Sequence, residues 1–269
     1  MTFADAKSRF SSRVADYARY RPGYPPALLD LLRDECGLLP QHVIADVGSG
    51  TGLLAKLFLE NGNRVFGIEP NPEMRSAGEE FLAKYADFRS LNASAEATAL
   101  PDAGADFVTA GQAFHWFDPI AARREFTRIL KTGGWVVIVW NDRGISESGF
   151  AREYENLLVQ FGTDYKSVRE SYPETHDMLN LFGGSAVVAG PQPGSSPRFQ
   201  RRELPNFQEF DLEGLRGRLG SSSYAPQPGH ANYDSMMNAL GQLFDAHQQA
   251  GRVRMNYTTQ IYFGRLPRT

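Results

Sequence analysis

The apolar positions of this chain change rhythm again and again between residues 25 and 140. From Pro25 to Leu39 they recur at helical spacing, with Leu28, Leu29, Leu31 and Leu32 on or near one face. Val43 to Val47 is a short apolar run that reads as a first strand. A helical run from Leu53 to about Asn61 follows, and Gly62 suits its C-cap. Arg64 to Glu69 reads as a second strand and Glu73 to Lys84 as a helix entered through a proline. A weaker strand lies around Phe88 to Asn92, and a stronger one spans Ala105 to Ala110. Pro119 to Leu130 is a helix that Lys131-Thr132-Gly133-Gly134 should end, before a strand from Trp135 to Trp140. This strand–helix alternation predicts a parallel sheet with right-handed crossovers.

Beyond residue 142 the pattern differs. Ser148 to Phe161 has Phe150, Tyr154, Leu157, Leu158 and Phe161 at helical spacing. Gly183 to Pro197, rich in Gly, Pro and Ser, reads as a loop. Phe199 to Phe210 is strand-like and should break at Pro205. Asp211 to Leu219 is a short helix with Asp211 as its N-cap. Tyr233 to Ala250 is a longer helix, and Arg252 to Leu266 alternates apolar and polar residues as a final strand. The expectation is an α/β fold, a doubly wound seven-stranded mostly parallel sheet in a single domain. Residues 1–40 would be an N-terminal helical segment and 41–141 the ligand-binding core. Residues 142–198 would be an inserted variable cap, and 199–269 would complete the sheet.

Composition narrows the function classes. The 269 residues are 42% hydrophobic and 22% charged, enough for a full-size core. A net charge of -3 supplies no basic field for nucleic acid. The lone cysteine, Cys36, excludes an intramolecular disulfide and a cysteine metal site, and reads as a helix residue facing the core. The five histidines show no metal-ligand spacing, so no metal is expected. The longest apolar run, Trp135 to Trp140, is too short to span a bilayer, and no signal sequence is evident. The expectation is a cytoplasmic protein, monomer or homodimer, with no membrane or nucleic-acid partner.

The candidate chemistry lies where the first strand ends, in Asp46-Val47-Gly48-Ser49-Gly50-Thr51-Gly52. Glycines let a ligand approach with no Cβ in the way, and the following helix offers unpaired N–H groups. A phosphate-gripping loop needs Lys and Ser or Thr after its last glycine, and here Leu53-Leu54 follows. A dinucleotide fingerprint needs Gly-x-Gly-x-x-Gly, whereas Gly48, Gly50 and Gly52 are more tightly spaced. Glu69 ends the second strand, 17 residues after Gly52, where a carboxylate accepts hydrogen bonds from ribose hydroxyls. Spacing alone leaves an NAD-dependent oxidoreductase as the alternative.

Four stretches in order resemble the class I S-adenosylmethionine-dependent methyltransferases. They are the glycine turn with Asp46, Phe66 to Met74 around Glu69 and Pro70, Asn92 to Pro101, and Phe126 to Trp135. Tyr17-Ala18-Arg19-Tyr20-Arg21-Pro22 and Gln112-Ala113-Phe114-His115-Trp116-Phe117-Asp118 resemble more narrowly the type 11 small-molecule methyltransferases, the group that includes trans-aconitate methyltransferase. The second half shares little with that group beyond Ser221-Ser222-Ser223-Tyr224 and the closing strand. The resemblance implies a Rossmann-like methyltransferase fold and S-adenosylmethionine as cofactor, leaving as S-adenosylhomocysteine. It implies a small-molecule acceptor, a carboxylate or another oxygen, methylated by in-line displacement. Tyr20, Arg21, Asp46, Gly48, Ser49, Gly50, Glu69, Pro70, Met74, Ala95, Glu96 and Gln112 would meet the cofactor. Tyr17, His115, Trp116 and Phe117 would meet the acceptor, with His115 the candidate general base.

Each assignment has a plainer counterpart. Asp46 could serve only as partner of the helix that follows, and Met74 only as core. Glu96 alone would be a solvated side chain. Tyr17, Tyr20 and Arg21 form either a lid or an amphipathic surface helix. A carboxylate acceptor needs no base, which favours a shaping role for His115. A protein that binds the cofactor without turning it over remains a third alternative.

Overall fold

The computed structural model describes residues 19–143, 149–170, 175–183 and 199–267. Tyr17 and the rest of residues 1–18 of the expected N-terminal helical segment, and residues 184–198 of the expected loop, lie outside them. Helix α1 spans Ala27–Cys36, β1 Val43–Val47, α2 Leu53–Glu60, β2 Arg64–Ile68 and α3 Pro72–Phe81. Next come β3 Phe88–Leu91, β4 Ala105–Gly111, a 3-10 turn Phe114–Trp116, α4 Pro119–Ile129 and β5 Leu130–Asp142. The second half carries α5 Gly149–Phe161, α6 Tyr165–Glu170, α7 Thr175–Phe182, β6 Phe199–Phe210, α8 Leu212–Gly220, α9 Tyr233–His247 and β7 Val253–Gly264.

These strands form one seven-stranded sheet in the order β3-β2-β1-β4-β5-β7-β6. The pairs β1–β2, β1–β4, β2–β3 and β4–β5 are parallel. The order reverses at β1, the place where open α/β sheets take their ligands. The expected doubly wound architecture is therefore present.

The chain groups into two compact units. One comprises Gly23–Trp140, Pro173–Leu204 and Thr259–Thr269, and the other Met1–Pro22, Asn141–Tyr172 and Pro205–Thr258. In the first, alternation along each central strand divides the core in two. Ile44, Phe107, Val137 and Val139 pack with Leu28, Leu32, Leu54 and Phe58 on one face. Ala45, Val47, Val108, Val136 and Ile138 pack with Phe126, Ile129, Met178 and Leu181 on the other. In the second unit, α5 and α9 meet through Tyr154, Leu158, Met236 and Leu240, joined by Leu215 and Leu219 of α8. This grouping crosses the expected segment boundaries. Part of 142–198 goes with the first unit, and α8 and α9 go with the second.

Two local expectations are corrected. Lys131 to Gly134 does not separate helix from strand but forms a bulge inside β5, with Ala105 opposite Leu130 and Phe107 opposite Trp135. Lys131 Nζ there reaches Asp106 Oδ2 at 2.8 Å, and that oxygen also accepts the Val43 amide at 2.8 Å. The bulge therefore ties β4 to the start of β1. Pro205 does not break β6, because β6 is an edge strand and a missing N–H costs little there.

Candidate functional site

Asp46 is fully buried at the end of β1. It lies opposite Thr109 in the β1–β4 register, and Oδ1 accepts the Thr109 hydroxyl at 3.0 Å. Oδ2 is buried with no hydrogen-bond partner. Burial pushes the carboxyl up to about 7, and the Thr109 hydroxyl and the Ala55 amide in the first turn of α2 hold it down only in part. Thr51 Oγ1, in the same turn, is a second buried polar atom with no partner. A buried carboxylate oxygen left open beside a helix N-terminus suits a cationic or hydroxyl-bearing ligand group.

The raised Asp46 pKa has a consequence for stability. The folded chain holds a proton that the unfolded chain releases near pH 4, so stability falls as pH rises from about 4 to about 7. Asp46→Asn is expected to remove that slope in ligand-free denaturation curves taken across this window. An unchanged slope would contradict it.

The glycine turn is clasped to the end of β2. Gly48 and Ser49 amides both donate to Ile68 O, at 2.8 and 3.1 Å. Gly50 donates to Glu69 Oε2 at 2.9 Å, and Glu69 Oε1 accepts the Asn71 amide at 2.8 Å. The backbone N–H groups of Gly48, Ser49 and Gly50 are thus engaged by the end of β2, and the glycines supply space and conformation. Gly48 has φ 66°, and a Cβ there would lie 2.5 Å from Ala113 Cβ. Gly52, the residue before α2, has φ 84°, and its Cβ would lie 2.5 Å from Leu82 Cδ1. Glu69 is buried, which raises its pKa against the two backbone hydrogen bonds. Each of its oxygens keeps a second lone pair for a ligand hydroxyl.

Neighbouring residues complete the surroundings. Pro70 is half-buried and leads into Asn71, whose side chain caps α3 through the Met74 amide at 2.9 Å. Met74 is buried, with its methyl 3.2 Å from where a Gly50 Cβ would stand. Ala95 is buried in the second core face. Glu96 accepts the Asp118 amide at 3.1 Å, and Asp118 Oδ1 caps α4 through Ile120 and Ala121. Glu96 therefore links the segment after β3 to the start of α4.

The segment after β4 lies over the turn. Gln112 has φ 56°, a left-handed conformation unusual outside glycine, and its amide donates to Val139 O at 3.0 Å. Phe117 lies 3.4 Å from where a Gly48 Cβ would be. The His115 ring lies 4.4 Å from Trp116 and 5.1 Å from Trp140, centroid to centroid. Its Nδ1 is buried without a hydrogen-bond partner, and burial pushes its pKa down to about 3. Thr109, Asn71, Ala113 and Trp140 were not among the expected site residues. Asn71 and Ala113 lay inside the quoted resemblance stretches, and Thr109 was a polar residue inside an apolar strand, whereas Trp140 had no such mark.

Tyr20 and Arg21 belong to the other unit. Tyr20 packs directly on Gly217 of α8, and Arg21 Nη2 donates to Ser221 O at 2.9 Å. Cys36 is buried and its thiol is pushed up to about 12, so it is no nucleophile. Among the described residues, no three His, Cys, Asp or Glu side chains cluster as metal ligands. No described helix is long and apolar enough to cross a membrane.

Residues 45–138, from β1 through β5, match the model of a methyltransferase domain. An uncharacterized methyltransferase of Mycobacterium leprae is 36% identical over 193 residues, which cover 65% of this chain and 70% of that protein. The chain belongs to the methyltransferase family. S-adenosylmethionine is the family's cofactor, and the nicotinamide alternative is not favoured. An uncharacterized methyltransferase of Mycobacterium tuberculosis is 35% identical over 172 residues, 63% of this chain and 66% of its own length. The chain thus spans a little under two thirds of that relative. A solved type II methyltransferase from Anaeromyxobacter dehalogenans, described as putative, shares the fold. It has a TM-score of 0.62 and 22% identity, covering 93% of this chain and all of that one. The open Asp46 oxygen, the glycine turn and the Glu69 carboxylate fit the cofactor: a site for a cation, space without Cβ atoms, and acceptors for hydroxyls.

Proposed function

We propose that this chain moves a methyl group from S-adenosylmethionine to a small-molecule acceptor. The observation that carries the reading is the turn itself. Asp46 keeps a buried oxygen open, and Glu69 holds Gly50 in place, at the point where the sheet order reverses. When bound, the cofactor supplies a sulfonium-activated methyl that needs no covalent enzyme intermediate.

The chain's own tasks are then binding, alignment and exclusion of water. Asp46 would pair with the cofactor's ammonium, and Glu69 would accept its ribose hydroxyls. Met74 and Ala95 would pack on the adenine, with Pro70, Glu96 and Gln112 fixing the surrounding loops. Tyr20 and Arg21 would contact the cofactor, and Tyr17 the acceptor. His115, Trp116 and Phe117 would shape the acceptor's surroundings. The acceptor atom we favour is an oxygen, a carboxylate among the candidates. The enzyme would act as a cytoplasmic monomer or homodimer.

His115 is assigned shape rather than proton transfer. With its pKa near 3 it is neutral and a poor base at ordinary pH. The pH profile of kcat/KM is therefore expected to lack a histidine inflection between pH 5 and 8. An inflection near 6.5 that disappears in His115→Asn would overturn the assignment. The function itself is tested by incubating the protein with methyl-labelled S-adenosylmethionine and a panel of small carboxylic acids, alcohols and amines. Label in an organic product supports it. Cofactor binding with no labelled product across the panel would favour a binding module instead.

A further inference from the structure

The unit that contains α5, α8 and α9 holds a cationic cluster for which the cofactor turn has no use. Arg218, in the last turn of α8, is only 4% exposed. Its Nε donates to the Tyr257 hydroxyl at 3.2 Å and its Nη1 to Ser222 Oγ at 3.0 Å. Both partners are neutral, and among the described residues no carboxylate pairs with Arg218. Arg143 pairs with Glu155 at 2.9 Å and donates to the Tyr165 hydroxyl at 3.1 Å. Its guanidinium lies 4.8 Å from the centroid of the Tyr154 ring.

Tyr154 supplies the second observation. It is 1% exposed, and its hydroxyl is buried with no hydrogen-bond partner. Burial pushes this phenol up to about 12, while Arg218 and Arg143 pull it the other way. Tyr224 feels the same field. Burial raises its pKa, yet the guanidiniums of Arg143, Arg218 and Arg21 bring it below the ordinary value.

A guanidinium out of water without a counter-ion is strongly unfavourable. The partial negative charge at the α8 C-terminus, about half a unit, offsets only part of this. Arginine matches the two-oxygen edge of a carboxylate or phosphate, and an unpartnered phenol hydroxyl such as that of Tyr154, whose ring lies under Arg143, donates to such a group. We propose that Arg218 and the Tyr154 hydroxyl, flanked by Arg143, form a recognition site for an oxyanion, a carboxylate or phosphate group on a small molecule. As an anion site it does not rest on the methyl-transfer reading.

The test is calorimetric titration of the full chain, saturated with S-adenosylhomocysteine, with propane-1,2,3-tricarboxylate and separately with inorganic phosphate. Binding of one of them is expected, and which one binds distinguishes the two sources. Arg218→Gln is expected to weaken that binding at least tenfold, and Tyr154→Phe about threefold. S-adenosylhomocysteine affinity should not change in either variant. If Arg218→Gln does not fold, Arg218→Lys and Tyr154→Phe carry the test, because each keeps most of the packing. Failure of both anions to bind, or binding indifferent to these substitutions, would overturn the site. Cofactor-product binding without anion binding would do so while leaving methyl transfer standing. Anion binding to a protein that ignores the cofactor product would do the reverse.

Discussion

Glu69→Ala is expected to weaken S-adenosylmethionine binding by about 100-fold, with the chain still folded at room temperature. The carboxylate does two things at once. It holds the Gly50 and Asn71 amides at 2.9 and 2.8 Å, and it offers its remaining lone pairs to the ribose. Hydrogen bonds to a charged group contribute about 1.5–3 kcal/mol each, and losing the equivalent of two amounts to about 3 kcal/mol, hence the ~100-fold figure. Titration calorimetry reads the effect directly. Glu69→Gln should lie between the two, since its amide oxygen still accepts one N–H. An affinity for Glu69→Ala within threefold of the parent would show that the clasp does not govern binding.

The second large effect is expected on folding. Gly48→Ala places a Cβ 2.5 Å from Ala113 Cβ in a residue with φ 66°. The left-handed backbone costs about 1–2 kcal/mol for any residue with a Cβ, and overpacking adds about 1–3 kcal/mol. Together they predict a loss of about 2–5 kcal/mol, or a fall in Tm of roughly 5–15 °C for a chain of this size. Because Ala113 precedes the 3-10 turn, the strain should also displace His115 to Phe117, and cofactor binding should fail before unfolding does. A thermal melt with and without S-adenosylhomocysteine measures both. Ala113→Gly in the same chain should restore part of the loss, since it removes the atom that the new Cβ meets.

Much of this site could be read from the sequence because its signals are local. Asp46, the three glycines and Glu69 lie within a strand–turn–helix–strand run, where backbone conformation dictates residue type. The same local logic gave the order of elements through β5. It failed where the deciding contacts are distant in sequence. Lys131 to Gly134 carries every local mark of a turn, yet Asp106 draws Lys131 into a bulge. Pro205 breaks a central strand but not an edge strand, and the position of β6 in the sheet is not a property of its own residues. The sharing of the Glu69 oxygens between Gly50 and Asn71 could not be read for the same reason. Arg218 escaped notice because arginine on a short amphipathic helix ordinarily faces water. Its burial depends on Tyr257, 39 residues later. The one hint was the shared Ser221-Ser222-Ser223-Tyr224, which begins three residues after it.

The central claim is that the turn from Asp46 to Gly52, with Glu69, holds S-adenosylmethionine. Parallel calorimetric titrations with S-adenosylmethionine, S-adenosylhomocysteine and NAD test it most directly. The account predicts saturable binding of the first two, lost or strongly weakened in Glu69→Ala, and no binding of NAD. Clear NAD binding with no response to either methyl-cycle ligand would contradict it.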